Sequence, residues 1–266
     1  MNGMIDIHNH VVFKFDDGPQ SLEEALEMLQ IAHEQGISAV FATSHFAENI
    51  SEDLEGEYFR KLEQLREAAE EKDIPVAVYS GAELFFHHYL EQTIKNHRVS
   101  TLAGLQQYAL IEFPLFLMPS GVEDVLFNLS LNNIIPIIAH PERYSALQDK
   151  PEKAIAFLRH GGLLQVNAGS ILGEFGKQVQ KLAMWMLENR MVHFIGSDAH
   201  APRGRTFKLQ EAVDYLRNHL DEDYIRMLVQ ENPLKIINEI PIREVHVPEE
   251  DEKPSFFQRL KRRLKG

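Results

Sequence analysis

The feature that most constrains this chain is a repeated alternation of short apolar runs with amphipathic helical stretches. Strand-like runs fall at Met4–His8, Ala39–Thr43, Val76–Glu83, Tyr108–Glu112, Ile134–His140, Leu163–Asn167 and His193–Ser197. Most are continuously apolar, the pattern of strands buried on both faces. The stretches between them carry a helical period. The first has Ser21 and Glu24 as a capping-box pair, an apolar stripe of Leu22, Ala25, Leu26 and Leu29, and Gly36 at its end. Tyr58–Glu71, Val122–Leu131, Glu152–His160, Lys177–Asn189 and Phe207–Leu220 follow the same rule. Repeated βα units imply a parallel sheet, and seven of them in 266 residues predict a closed or nearly closed (β/α)7 barrel of the α/β class.

Composition narrows the chemistry. The chain is 44% hydrophobic, enough for a large core, yet no apolar run is long enough to cross a membrane. The N-terminus lacks a basic segment followed by an apolar one, so a cytoplasmic protein is expected. Cysteine is absent, which excludes disulfides, thiolate metal ligands and a cysteine nucleophile together. A formal net charge of -13 argues against nucleic acid or acidic lipid as a partner for the body of the protein. Composition shifts near residue 245, so residues 1–245 are expected to form a single domain and 246–266 a charged tail. In that tail Phe256, Leu260 and Leu264 are spaced helically among Arg259, Lys261, Arg262, Arg263 and Lys265. It reads either as a solvated terminus or as a short basic helix that touches a partner or a membrane surface.

In parallel barrels the chemistry gathers at the C-terminal ends of the strands. Those ends carry His8 and His10, then Asp16 and Asp17; His45 in "ATSH"; Glu83; Glu112; His140; and Asp198 and His200 in "GSDAH". Each is an imidazole or a carboxylate. Carboxylates converging on one mouth repel each other and are costly to desolvate unless cations sit among them. Residues i and i+2 on a strand point the same way, so His8 and His10 can grip one ion. Nitrogen and oxygen donors without sulfur favour Mn, Fe, Zn or Mg. Phe13, Phe15, Phe46, Phe85, Phe86, Phe113, Leu115 and Phe116 follow strand ends and are candidates for apolar walls around a substrate, with His87 and His88 as weaker substrate contacts.

The stretches "IDIHNH…DDGP", "ATSHF", "GAEL", "HPERY" and "GSDAH" resemble the polymerase and histidinol phosphatase (PHP) superfamily. More narrowly, the chain resembles the bacterial manganese-dependent protein-tyrosine phosphatases of capsule and exopolysaccharide operons, from about Met4 to Asn238. The resemblance implies a distorted seven-stranded barrel with two to three divalent ions, manganese foremost. It places His8, His10 and Asp198 at a first metal, Glu83 between the first and second, Glu112 and His140 at the second, and Asp17, His45 and His200 at the third. It makes Arg143 a phosphate-binding residue and Arg205 a second clamp, with Arg203 as its competitor. The implied substrate is the phosphotyrosine tail of a bacterial tyrosine kinase, and oligomers are compatible with it. Without a cysteine, attack falls to a water activated by metal ions. A small-molecule phosphoesterase, such as a histidinol-phosphate phosphatase, and a non-enzymatic kinase-binding scaffold are the competing readings.

Overall fold

The structure, a computed structural model, describes residues 3–242 and 246–248. The proposed basic helix of the tail lies outside the described residues. Seven strands form one sheet in chain order: β1 (Met4–Asn9), β2 (Ile37–Phe46), β3 (Ala77–Phe85), β4 (Tyr108–Glu112), β5 (Ile135–Ala139), β6 (Leu163–Asn167) and β7 (Phe194–Gly196). Every neighbouring pair is parallel. The sheet curls until its edges nearly meet. An isolated parallel bridge joins Asn9 to Ala199, the Asp198 N–H donates to the His8 carbonyl at 2.7 Å, and the His10 N–H donates to the Ala199 carbonyl at 2.8 Å. Closure therefore occurs at the C-terminal ends, where the candidate ligands lie.

Helices wrap the outside. The first, Leu22–Glu34, buries Ala25, Leu26, Met28, Leu29 and Ala32 against the sheet. Ser21 caps it by accepting from the Glu24 N–H, while the Glu24 carboxylate reaches the Gln20 N–H, one residue earlier than a capping box requires. The second helix, Glu52–Glu71, begins six residues before the apolar stripe does. Its first turn is acidic, which suits the positive end of a helix dipole, and Ser51 caps it. Residues 222–237 are helical as well, with a π turn at Met227–Glu231. Among the described residues, no helix is long and apolar enough to cross a membrane.

A separate apolar cluster fills the barrel and includes Ile5, Ile7, Ala39, Phe41, Leu110, Ile137, Ala139, Leu163 and Phe194. Its alternate-residue phase continues toward the mouth. Ala39 and Phe41 lead to Thr43 and His45, Tyr79 to Gly81 and Glu83, Leu110 to Glu112, and Leu163 to Gln165 and Asn167. Strand β1 breaks this rule. Ile5 and Ile7 would be followed inward by Asn9, whereas His8 and His10 reach the mouth. The pairing of β1 with β2 is irregular between Asp6 and Asn9, which permits the change of phase. Gly196 makes the necessary room, since a Cβ there would sit 2.7 Å from the His8 Cβ and 2.9 Å from Gln165 Nε2.

Candidate metal centre

Glu83 is the hub of the mouth. Its Oε2 lies 3.2 Å from His8 Nε2, 3.4 Å from His10 Nε2 and 3.1 Å from His45 Nδ1, and its Oε1 lies 3.0 Å from His140 Nε2. Asp198 Oδ1 sits 3.6 Å from His8 Nε2 and 3.7 Å from His10 Nε2. Glu112 reaches His140 Nε2 at 3.5 Å and His45 Nδ1 at 4.0 Å. On the outer side, Asp17 lies 3.2 Å from His200 Nε2 and 3.5 Å from His45 Nε2. All nine residues expected as ligands thus meet at one mouth. Their donor atoms form four overlapping groups able to hold a cation: His8, His10 and Asp198; His8, Glu83 and His140; His45, Glu83 and Glu112; and His10, Asp17, His45 and His200.

The donor chemistry fits divalent cations. His8 Nε2, His10 Nε2 and His200 Nε2 are buried without a hydrogen-bond partner among the described residues, although carboxylates lie nearby. Burying such atoms unsatisfied is costly, and convergent imidazole and carboxylate donors are the set that borderline and hard cations accept. Two residues here also carry backbone strain: His140 has φ +32° and Asp198 φ +56°.

Electrostatics reinforce the fit. Burial opposes charging His8, yet Glu83 and Asp198 overcome it and push its pKa up to about 9. His10 is likewise pushed up, to about 10, by Asp16 and Glu83 against its burial. Glu83, despite complete burial, is held well below the usual carboxylate range by the imidazoles of His8, His10, His140 and His45. Glu112 moves the other way, raised by burial and by the neighbouring Glu83. Burial and the nearby His10 lower His200 to about 4. Protons on His8 and His10 therefore supply the positive charge that cations would bring.

The arginines separate clearly. Arg143 donates to Asp198 Oδ2 at 3.0 Å, and Arg205 donates to Asp198 Oδ1 at 2.8 Å. Arg203 lies apart: its side chain is 88% exposed and sits 3.8 Å from Glu27. Of the expected apolar walls, Phe46, Phe86 and Phe113 are buried in the core and unavailable to a substrate, whereas Phe85 and Phe116 are exposed. His87 and His88 follow β3; Phe86 and His88 contact edge to face. A cavity of about 1220 Å³ lies elsewhere, among Arg190, His193, Tyr224, Asn232 and Ile242. It contains none of the candidate ligands, and the mouth remains the chemically richer place.

Sequence reasoning noted Asp16 without giving it a role and missed three further residues that shape this mouth. Asp16 accepts from His10 Nδ1 at 2.8 Å and from the His45 and Gly18 N–H groups. Phe175 stacks under the Arg143 guanidinium at 4.7 Å. Gln165 and Asn167 project from β6 toward His8 and Asp198. The inward phase of β6, set by Leu163, is the signal that would have found the last two.

Fold and mouth together define a class: a parallel (β/α) barrel with a nitrogen–oxygen centre of the kind divalent cations occupy. Organophosphorus hydrolase variants from Deinococcus radiodurans share that fold at TM-score 0.52 and 14% identity, over 88% of this chain and 92% of theirs. Within that class, the chain belongs to the capsular polysaccharide synthesis CpsB/CapC family, whose model matches residues 4–238. It is 31% identical to the tyrosine-protein phosphatase YwqE of Bacillus subtilis over 92% of this chain and 96% of that one. It is 35% identical to the putative tyrosine-protein phosphatase CapC of Staphylococcus aureus, over 78% and 81%. A crystal structure from work on Bacillus subtilis YwqE and Streptococcus pneumoniae CpsB, described as metal-dependent tyrosine phosphatases, superposes at TM-score 0.86 with 29% identity, over 94% of this chain and 100% of the other.

Proposed function

We infer that this chain is a metal-dependent protein-tyrosine phosphatase, with residues 1–245 as its catalytic unit. The observation that carries the reading is the convergence of nine imidazoles and carboxylates on one mouth, in a family whose named members are tyrosine phosphatases. The relatives lend no support to a histidinol-phosphate phosphatase or to a non-enzymatic scaffold. The substrate we propose is the phosphotyrosine tail of a bacterial tyrosine kinase in capsule synthesis, which would place the reaction in the cytoplasm.

His8, His10, Asp198, Glu83, Glu112, His140, Asp17, His45 and His200 would hold two to three divalent ions, manganese foremost. When bound, such ions supply charge neutralisation at phosphorus and an activated water. Arg143 offers a planar fork of donors matched to phosphoryl oxygens, and its bond to Asp198 uses only one of five N–H groups. Phe175 fixes the plane of that fork. Arg205, rather than the outward Arg203, supplies the second clamp from the opposite side of Asp198. Phenolate, whose conjugate acid has a pKa of about 10, leaves without a strong general acid.

The test is turnover of a phosphotyrosyl peptide by purified protein before and after chelation, beside histidinol phosphate. Loss on chelation, recovery with Mn2+ and preference for the peptide are expected. Chelator-resistant turnover, or preference for the small molecule, would overturn the reading.

A further inference from the structure

Strand β6 is the one strand whose end carries neither an imidazole nor a carboxylate, yet it is wired into the mouth. Gln165 and Asn167 are fully buried and face inward, two residues apart. His8 Nδ1 lies 2.9 Å from Gln165 Oε1. Gln165 Nε2 donates to Asn167 Oδ1 at 2.8 Å, and Asn167 Nδ2 donates to Asp198 Oδ2 at 2.8 Å. Three side-chain contacts in series therefore run from one candidate ligand to another.

The direction of this chain of bonds is forced from the Asp198 end. Arg143 and Arg205 each donate to an Asp198 oxygen, and a guanidinium has no acceptor. Both carboxylate oxygens are therefore acceptors, and Asn167 must face them with its NH2 group. Its carbonyl oxygen then turns toward Gln165 and must receive an N–H. That fixes the Gln165 NH2 toward Asn167 and its carbonyl oxygen toward His8. The His8 Nδ1 must be the donor. The main chain holds the Gln165 amide the same way round: the His140 N–H donates to Gln165 Oε1 at 3.4 Å. Nδ1–H being fixed, Nε2 is the His8 atom offered to the mouth, and it lacks a hydrogen-bond partner among the described residues.

We propose that Gln165 and Asn167 are positioning residues, a two-amide relay through which Asp198 sets the tautomer and ring orientation of His8. Partners of this kind orient metal-ligating imidazoles, and their loss weakens metal binding. The relay differs from a local prop because it couples two ligands through shared amides. Reversing either amide would set two acceptors, or two donors, face to face. The proposal rests on the reading of the mouth as a metal centre.

A double-mutant cycle on Mn2+ affinity tests it, with affinities measured by chelator competition on the full chain. Gln165→Met and Asn167→Leu keep the side-chain volume and remove the polar atoms. Each is expected to weaken Mn2+ binding by roughly 10–100-fold. The double variant should be no weaker than the worse single variant by more than about threefold, since one relay can be broken only once. Effects that multiply, or single variants that bind Mn2+ like the wild type, overturn the relay alone. A wild-type protein that binds no Mn2+ overturns the metal reading and the relay together. The second readout is spectroscopic and needs no variant: in Zn2+-loaded protein labelled with 15N-histidine, His8 should carry a slowly exchanging proton on Nδ1. A proton on Nε2, or none on Nδ1, overturns the proposal even if a variant fails to fold.

Discussion

Metal uptake by this protein should release protons, and the number follows from the geometry around Glu83. In the metal-free mouth His8 titrates at about 9 and His10 at about 10, because Glu83, Asp198 and Asp16 outweigh the cost of burial. Both rings are protonated at pH 7.5 and must be neutral to coordinate. Glu83 and Asp198 are held below the usual carboxylate range, so they have no proton to give. His200, lowered to about 4, is already neutral. His45 is raised as well by Glu83, so filling the mouth should release at least two protons, and apparent affinity should rise by about a hundredfold or more per pH unit between pH 7 and 8. The sign follows because a raised pKa makes the proton a stronger competitor, and that competitor is removed as pH rises. Calorimetric Mn2+ titrations in two buffers of different ionisation enthalpy count the protons directly. An affinity independent of pH in this window, with no difference between buffers, would refute the electrostatic picture of Glu83 as a hub for protonated imidazoles.

Three further outcomes are expected. Arg143→Ala should keep its metal content and lose roughly 10²-fold or more in phosphotyrosyl turnover, measured with elemental analysis on the same sample; unchanged turnover would remove Arg143 from the phosphate site. Gly196→Ala should weaken Mn2+ binding at least tenfold, because its Cβ would lie 2.7 Å from the His8 Cβ; an affinity like the wild type's would show that His8 can shift freely. His193 should govern part of the acid limb of stability. Its ring is buried, accepts from the Leu164 N–H at 3.3 Å, and is lowered by burial to about 4. Above pH 6.5 the folded and unfolded forms are both neutral there, and below that the unfolded chain takes a proton the folded one refuses. Stability should fall by about 3 kcal/mol as pH drops from 6.5 to 4, and His193→Gln should flatten that slope in urea unfolding.

Much of this architecture was legible in the order of residues. Strands β4 and β6 run over the same residues that their apolar character indicated, and the ligand-bearing strand ends announced themselves because charge in an apolar context is conspicuous. What stayed hidden has physical causes. Helix Glu52–Glu71 begins with Glu52, Asp53, Glu55 and Gly56, where capping and dipole favour the helix and apolar periodicity gives no sign of it. Leu90–Asn96 and Ser145–Asp149 are too short to show a period. The change of phase in β1 depends on a pairing irregularity and on space at Gly196, both properties of packing across the barrel. Gln165 and Asn167 carry no net charge and sit in a strand that reads as ordinary core, so their bonds to His8 and Asp198 emerge only when β6 is placed between β5 and β7. Arg203 and Arg205 could not be ranked from spacing; the turn after Asp198 sends one toward Glu27 and the other back to Asp198.

The most direct measurement is an anomalous-scattering map, at the manganese edge, from crystals of the Mn2+-loaded protein. Two or three peaks should lie within about 2.0–2.4 Å of the His8, His10, Glu83 and Asp198 donor atoms and their neighbours. An empty mouth, or peaks confined to other surfaces while the enzyme still turns over phosphotyrosine, would contradict the claim that cations draw these side chains together.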